Sequence, residues 1–125
     1  MILDTNAVSA LFVGDSALAS VLSGEDQIHL PTVVVGEYRY GLERSRQGGD
    51  LALLLETLIL DSIVLPIELA TASHYAQVRD ELRSRGTPIP ENDVWIAALA
   101  RQHALTILSR DEHFDRVQHI VRRAW

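Results

Sequence analysis

A mostly parallel sheet with helices on both faces is the α/β architecture that this 125-residue chain predicts. Three observations carry the expectation. Short apolar runs alternate with helical patterns from one end to the other, the order that builds βαβ units. At 47% hydrophobic residues the chain can bury one core, so a single domain over residues 1–125 is expected. No internal repeat or low-complexity stretch interrupts the alternation.

The elements follow in order. Met1 to Asp4 reads as a short buried strand, and Thr5-Asn6 opens a helical pattern through Phe12. Asp15 to Leu22 reads as a second short helix, stopped by Ser23-Gly24. Gln27 to Val34 is strand-like, but Pro31 ends the strand and a helix follows. That helix covers Val33 to Arg46, with Gly48-Gly49 as its stop signal. Leu51 to Leu60 is a helix too apolar for a solvated surface. It is expected to pack on two sides, against its own sheet and against a second subunit or partner. Ser62 to Ile67 is a strand. Glu68 to Arg85 is an amphipathic helix, with Ala72, Tyr75, Val78 and Leu82 spaced by three and four. Asn92 to His103 is a helix and Ala104 to Leu108 a buried strand. A short helix over Asp111 to His119 and a brief strand at Ile120-Val121 complete the chain.

Composition narrows the function. No apolar run approaches the ~20 residues that span a bilayer. Met1-Ile2-Leu3-Asp4 has no basic region before its apolar residues, so no signal peptide is expected. The absence of cysteine rules out a disulfide framework and a thiolate zinc site, and a cytoplasmic protein is the expectation. Net charge is −6, which argues against a non-specific, salt-driven nucleic-acid coat. All eleven basic residues are arginine, a good fork for phosphate oxygens, although an arginine-biased genome explains the same composition.

Four acids stand out. Asp4, Glu37, Asp93 and Asp111 each lie near the C-terminal end of a strand-like run or in the first turns of a helix-like one. In an open parallel sheet those ends form one edge, where such folds bind ligands. Each acid alone has an ordinary explanation. Asp4 and Asn92 or Asp93 can cap helices, Glu37 can be solvated, and Ser109 with Glu112 fits a capping box. Together they do not. Clustered carboxylates repel, and they stay ionised only beside a cation; hard divalent ions favour oxygen ligands. A Mg²⁺ or Mn²⁺ site used for phosphoester chemistry is the inference. Thr5, Asn6 and Asn92 are candidate supports, holding an acid or a water.

Four segments then match a family: Ile2-Leu3-Asp4-Thr5-Asn6, Val34 to Leu42, Pro88 to Ala98, and Leu108 to Phe114. The chain resembles the PIN-domain ribonucleases, and more narrowly the VapC-type toxins of toxin–antitoxin pairs, essentially end to end. The resemblance implies a three-layer α/β/α fold and an endoribonuclease that needs Mg²⁺ or Mn²⁺. It implies a homodimer and a cognate antitoxin that lays its C-terminal segment across the active-site groove. By position, Asp4, Glu37 and Asp93 match the family's three core metal-binding acids. Asp111 matches the more variable fourth, with Asp115 near enough to substitute.

Hydrolysis of an RNA phosphodiester by water then follows, leaving a 5′-phosphate and a 3′-hydroxyl. Asp4 and Asp93 would hold one metal, Glu37 would orient the water or act as base, and Asp111 would support a second ion. The five histidines, His29, His74, His103, His113 and His119, show no pairing that suggests a metal-free mechanism and read as structural or exposed. A phosphatase or phospho-acceptor domain would use a lysine, which this chain lacks. A related DNA nuclease and a non-catalytic PIN-like partner-binding domain are the remaining alternatives.

Overall fold

The structure, a computed structural model, describes residues 1–46 and 48–125. Its strands are β1 (Ile2–Leu3), β2 (His29–Pro31), β3 (Ile63–Leu65), β4 (Ile107–Leu108) and β5 (Arg122–Arg123). Its helices are α1 (Thr5–Phe12), α2 (Ser16–Leu22), α3 (Thr32–Glu43), α4 (Gly48–Leu60), α5 (Leu69–Ser84) and α6 (Glu91–His103), with a 3₁₀ helix over Glu112–Arg116. Every strand pairing is parallel, in the order β3-β2-β1-β4-β5, and helices flank the sheet.

That order places the site. From β1 the chain winds outward through β2 to β3, then crosses back to lay β4 on the other side of β1. The winding direction therefore reverses between β1 and β4, and an open sheet leaves a crevice beyond the strand ends at such a point. The registers Ile2↔Ile107 and Leu3↔Leu108 put the next residues, Asp4 and Ser109, side by side at its mouth. The Asp4 N–H donates to the Leu108 carbonyl at 3.2 Å and continues the ladder to that point.

The core is built on the three central strands, β2, β1 and β4. Ile2, Leu3, Leu30, Ile107 and Leu108 are fully buried, as β-strands covered on both faces require. Helix α6 is buried almost all round, from Asp93 and Val94 through Ile96 to Ala100. It packs on α5 through a Tyr75–Trp95 stack with ring centroids 3.9 Å apart and through Arg101, which grips Glu81 at 3.1 and 2.9 Å. Phe114, on the 3₁₀ helix, fills the core beneath the crevice's far side.

Four local expectations are corrected. Gly48-Gly49 do not stop a helix; α3 already ends at Glu43, and the two glycines open α4. The chain passes so close to α3 there that a Cβ on Gly48 would lie 3.3 Å from the Leu42 carbonyl, and Asp50 then favours the new helix's dipole. The last strand lies at Arg122–Arg123, not Ile120-Val121, because His119 takes a left-handed turn (φ 61°) that resets the approach to β4. The helix expected over Asp111 to His119 is a 3₁₀ helix of five residues. In α5 the buried face begins at Thr71 rather than Ala72, since the Thr71 hydroxyl accepts from the Glu68 N–H at 3.0 Å and donates to Gln102 at 2.6 Å.

Helix α4 buries Leu55 and Leu58, while Leu53 remains 69% and Leu54 43% exposed. Edge-strand residues Ile63 and Val64 are also exposed, as is Tyr40 on α3. Among the described residues no single helix is long and apolar enough to cross a membrane.

Two glycine substitutions are expected to act with opposite sign. Gly86 ends the α5 turn at φ +67°, so Gly86→Ala should destabilise by about 1 kcal/mol. Gly49 has a negative-φ helical backbone and open space at its Cβ, so Gly49→Ala should stabilise by roughly 0.4–1 kcal/mol. Urea denaturation of both variants checks the pair.

Candidate active site

Asp4 leaves β1 as the N-cap of α1, and the cap is also its anchorage. Oδ1 accepts from the Thr5 N–H at 2.8 Å. Oδ2 accepts from the Ser109 hydroxyl at 2.7 Å and the Asn6 amide at 3.1 Å. The residue is 2% exposed. Both readings of Asp4, helix cap and site acid, therefore describe one side chain.

Asp111 arrives from the neighbouring strand. Asn6 Nδ2 donates to its Oδ2 at 3.0 Å and lies 3.1 Å from Ser109 Oγ. Ser109 Oγ in turn accepts from the Asp111 N–H at 3.0 Å. One serine and one asparagine thus tie two like-charged carboxylates together through neutral groups. Ser109 does not form the capping box with Glu112; its hydroxyl is drawn into the sheet edge by Asp4.

Glu37 lies in the second turn of α3, and its Oε2 accepts the Thr5 hydroxyl. Pro31, lacking an N–H, ends β2 and starts α3 at once, which brings Glu37 back over the strand ends. Asp93 stands in the first turn of α6 and is buried. His113 Nε2 lies 2.7 Å from Asp93 Oδ2, off the line of a ring N–H hydrogen bond. The histidine is therefore a site residue that spacing along the chain did not reveal. The usable signal was its place two residues beyond Asp111, in a turn returning to the same edge. Asn92 is exposed and lines a surface groove with Gly36, Glu37, Tyr40 and Trp95.

Asp115 is occupied elsewhere. Arg122 grips it with two hydrogen bonds of 2.8 and 2.7 Å, and that guanidinium holds its carboxyl below the usual carboxylate range. Asp111, by contrast, shares partners with Asp4.

Electrostatics single out this cluster. Burial pushes Asp4 up from its ordinary value; hydrogen bonds from Ser109 and Thr5 pull it back, and the charges of Asp111 and Glu37 add to the rise. Asp93 is pushed up to about 6, first by burial and then by Asp4, with His113 opposing and Glu37 and Asp111 adding. Asp4 and Asp93 thus feel the charges of the other acids, yet among the described residues none of the arginine ion pairs reaches the four. Arg39, Arg79, Arg101, Arg110, Arg122 and Arg123 all pair with other acids.

A set of oxygen donors that no arginine ion pair among the described residues compensates suits a hard divalent cation. Among the described residues no three such side chains converge on one point as they stand.

The chain is similar to known proteins along most of its length. The PIN domain family profile matches residues 1–120. Toxin FitB of Neisseria gonorrhoeae is 32% identical over 92 residues, covering 69% of this chain and 66% of that toxin. Ribonuclease VapC2 of Haemophilus influenzae (strain Rd) is 30% identical over 120 residues, covering 92% of this chain and 89% of the ribonuclease. The crystal structure of FitAcB from Neisseria gonorrhoeae superposes with a TM-score of 0.83 at 29% identity, over 97% of this chain and 94% of that one.

The raised Asp93 value has a definite consequence for metal-free protein. Its folded value, about 6, exceeds the 3.8 of the unfolded chain. The folded state therefore keeps the proton to higher pH, and this contribution to stability is full below about 3.8 and lost as pH rises through about 6. Calorimetric melting of the metal-free wild type minus that of Asp93→Asn should rise as pH falls from 7 towards 4.5. A flat difference would show that Asp93 titrates normally.

Proposed function

The chain belongs to the PIN domain family, and from that premise we propose that it is a metal-dependent endoribonuclease toxin held in check by a cognate antitoxin. The observation that carries the reading is the group of four mutually coupled acids at the β1/β4 crevice, which no arginine among the described ion pairs neutralises. Support comes from the two relatives, one named a toxin and one a ribonuclease. The proposal includes a cytoplasmic location, where an RNA substrate and a cognate antitoxin would be met.

Asp4, Glu37, Asp93 and Asp111 would hold Mg²⁺ or Mn²⁺. Such an ion, when bound, offsets charge on a phosphate oxygen and acidifies a water. The chain's own groups do the rest. Thr5 and Ser109 fix the rotamers of Glu37 and Asp4, so that the cluster is built before substrate arrives. Glu37 engages Thr5 through Oε2 and keeps Oε1 to accept a proton from the attacking water. His113 steadies Asp93. With water as nucleophile, rather than the ribose 2′-hydroxyl, the products carry a 5′-phosphate and a 3′-hydroxyl.

Antitoxin-free protein incubated with total RNA should cleave with Mg²⁺ or Mn²⁺ and not with EDTA, leaving 3′-hydroxyl ends. Asp4→Asn and Asp93→Asn should lose cleavage at least 100-fold, the scale on which removing a key electrostatic group acts, while keeping the wild-type circular dichroism. Mapped 2′,3′-cyclic phosphates would overturn the hydrolytic reading.

The same charge makes the crevice a target for a basic plug. The antitoxin is expected to place an arginine near Asp4, Glu37 and Asp93, forming charge-assisted hydrogen bonds. Linkage then requires Mn²⁺ and antitoxin to weaken each other's binding by the same factor. Titration calorimetry with and without Mn²⁺ tests this, and unchanged affinity would mean steric cover alone.

The exposed apolar face of α4 and α3, with Leu53, Leu54 and Tyr40, suits a homodimer or antitoxin contact. Leu54→Arg should shift wild-type oligomers towards monomer in light scattering without unfolding. Leu58, which the sequence places on the same face, is core; Leu58→Arg should unfold the protein instead.

A further inference from the structure

Asp111 is the exposed member of the four acids, and Asp4 repels it. A side chain on a solvated turn beside a like charge swings away unless its backbone is held. The structure holds it from outside the cluster. Arg110, the residue before it, lays its guanidinium 4.3 Å from the centre of the Trp125 ring. Asp15 Oδ2 accepts from Arg110 Nη2 at 3.2 Å and from the Trp125 indole N–H at 3.2 Å. Asp15 is itself anchored, since its Oδ1 caps α2 by accepting from Ala17 and Leu18 at 3.0 Å each. On the inner side, the Arg110 N–H donates to Asn6 Oδ1 at 3.2 Å, which aims the asparagine's amide at Asp111 and Asp4. The strand preceding Trp125 clamps the same turn. Ser109 donates to the Arg123 carbonyl at 3.0 Å, and Arg122 donates to the Ser109 carbonyl at 3.1 Å.

We infer that Trp125, Arg110 and Asp15 form a strap that positions Asp111, with Trp125 and Arg110 as positioning residues for the candidate metal site. The stack fixes Arg110, Arg110 fixes the turn and Asn6, and Asn6 presents both carboxylates at a spacing their repulsion opposes. A cation–π contact and a charge-assisted hydrogen bond at a partly exposed site suit this role, because together they restrain the turn without burying a new charge. The inference rests on the proposed metal site for its consequence but not for its geometry.

The test is a double-mutant cycle on the full chain, read by Mn²⁺ binding without RNA. Arg110→Ala and Trp125→Ala should each weaken Mn²⁺ about tenfold, the low end of what loss of an orienting partner costs. Trp125→Phe keeps a ring under the guanidinium and should retain most of the affinity. In an Asp111→Asn background the same substitutions should change Mn²⁺ affinity less than twofold. Where wild type binds Mn²⁺, equal losses in both backgrounds, or none in either, overturn the strap, because a merely structural role acts without regard to Asp111. Metal-free hydrogen exchange at the Arg110 and Asp111 amides gives a second reading and should rise in the alanine variants. If wild type binds no Mn²⁺ while exchange rises, the metal reading fails and the strap stands. Unchanged exchange overturns the strap.

Discussion

The constraint on which this structure turns is the repulsion between carboxylates gathered at one sheet edge. Asp4 and Asp93 are taken out of water, and Glu37 and Asp111 stand within reach of their fields. Burial alone would favour their neutral forms. Neutral hydrogen-bond donors keep the arrangement together without cancelling its charge: Thr5, Asn6 and Ser109 each serve one or two of the acids. A guanidinium in their place would neutralise the cluster and leave it unable to take a cation. The chain has eleven arginines, and those nearest this region, Arg110 and Arg122, are drawn off by Asp15 and Asp115.

The fold serves this constraint. Reversal of winding between β1 and β4 is what juxtaposes Asp4 and Ser109, and parallel register carries that juxtaposition one residue beyond the last paired strand residues. The two acids from helices arrive because each helix starts at the same edge. Pro31 starts α3 and Pro90 starts α6, both residues with φ near the helical value and no N–H to leave unsatisfied. The core beneath is dense and β-branched or leucine-rich, so the strand ends have little freedom to relax away from one another.

The exposed apolar surface and the acidic edge occupy different elements of a small chain. The exposed Leu53, Leu54 and Leu60 belong to α4, and the exposed Ile63 and Val64 to the edge strand β3. The acids belong to β1, α3, α6 and the turn after β4. Helix α3 is the element common to both, with Glu37 facing the crevice and Tyr40 exposed one turn on. Cover over that helix would reach both.

Much of this was legible along the chain. Alternating apolar runs announced the parallel sheet, and the places of Asp4, Glu37, Asp93 and Asp111 announced that four acids gather at one edge, because local sequence dictates strand ends and helix starts directly. Asp4 as a cap after a strand, Pro31 as a strand end and Asp15 as a helix start are all local facts, and all appear in the structure. The glycines at 48 and 49 misled, because a glycine pair marks a break without saying which side of it a helix occupies. What only the tertiary structure decided are the contacts between residues about a hundred positions apart: Ser109 and Asn6 between Asp4 and Asp111, and Trp125 and Arg110 on Asp15. It also decided that His113 meets Asp93 and that Arg122 takes Asp115 out of the site. Periodicity determines which face of an element is buried, but the partner across the sheet depends on strand order and register, and those are settled only when the whole core closes.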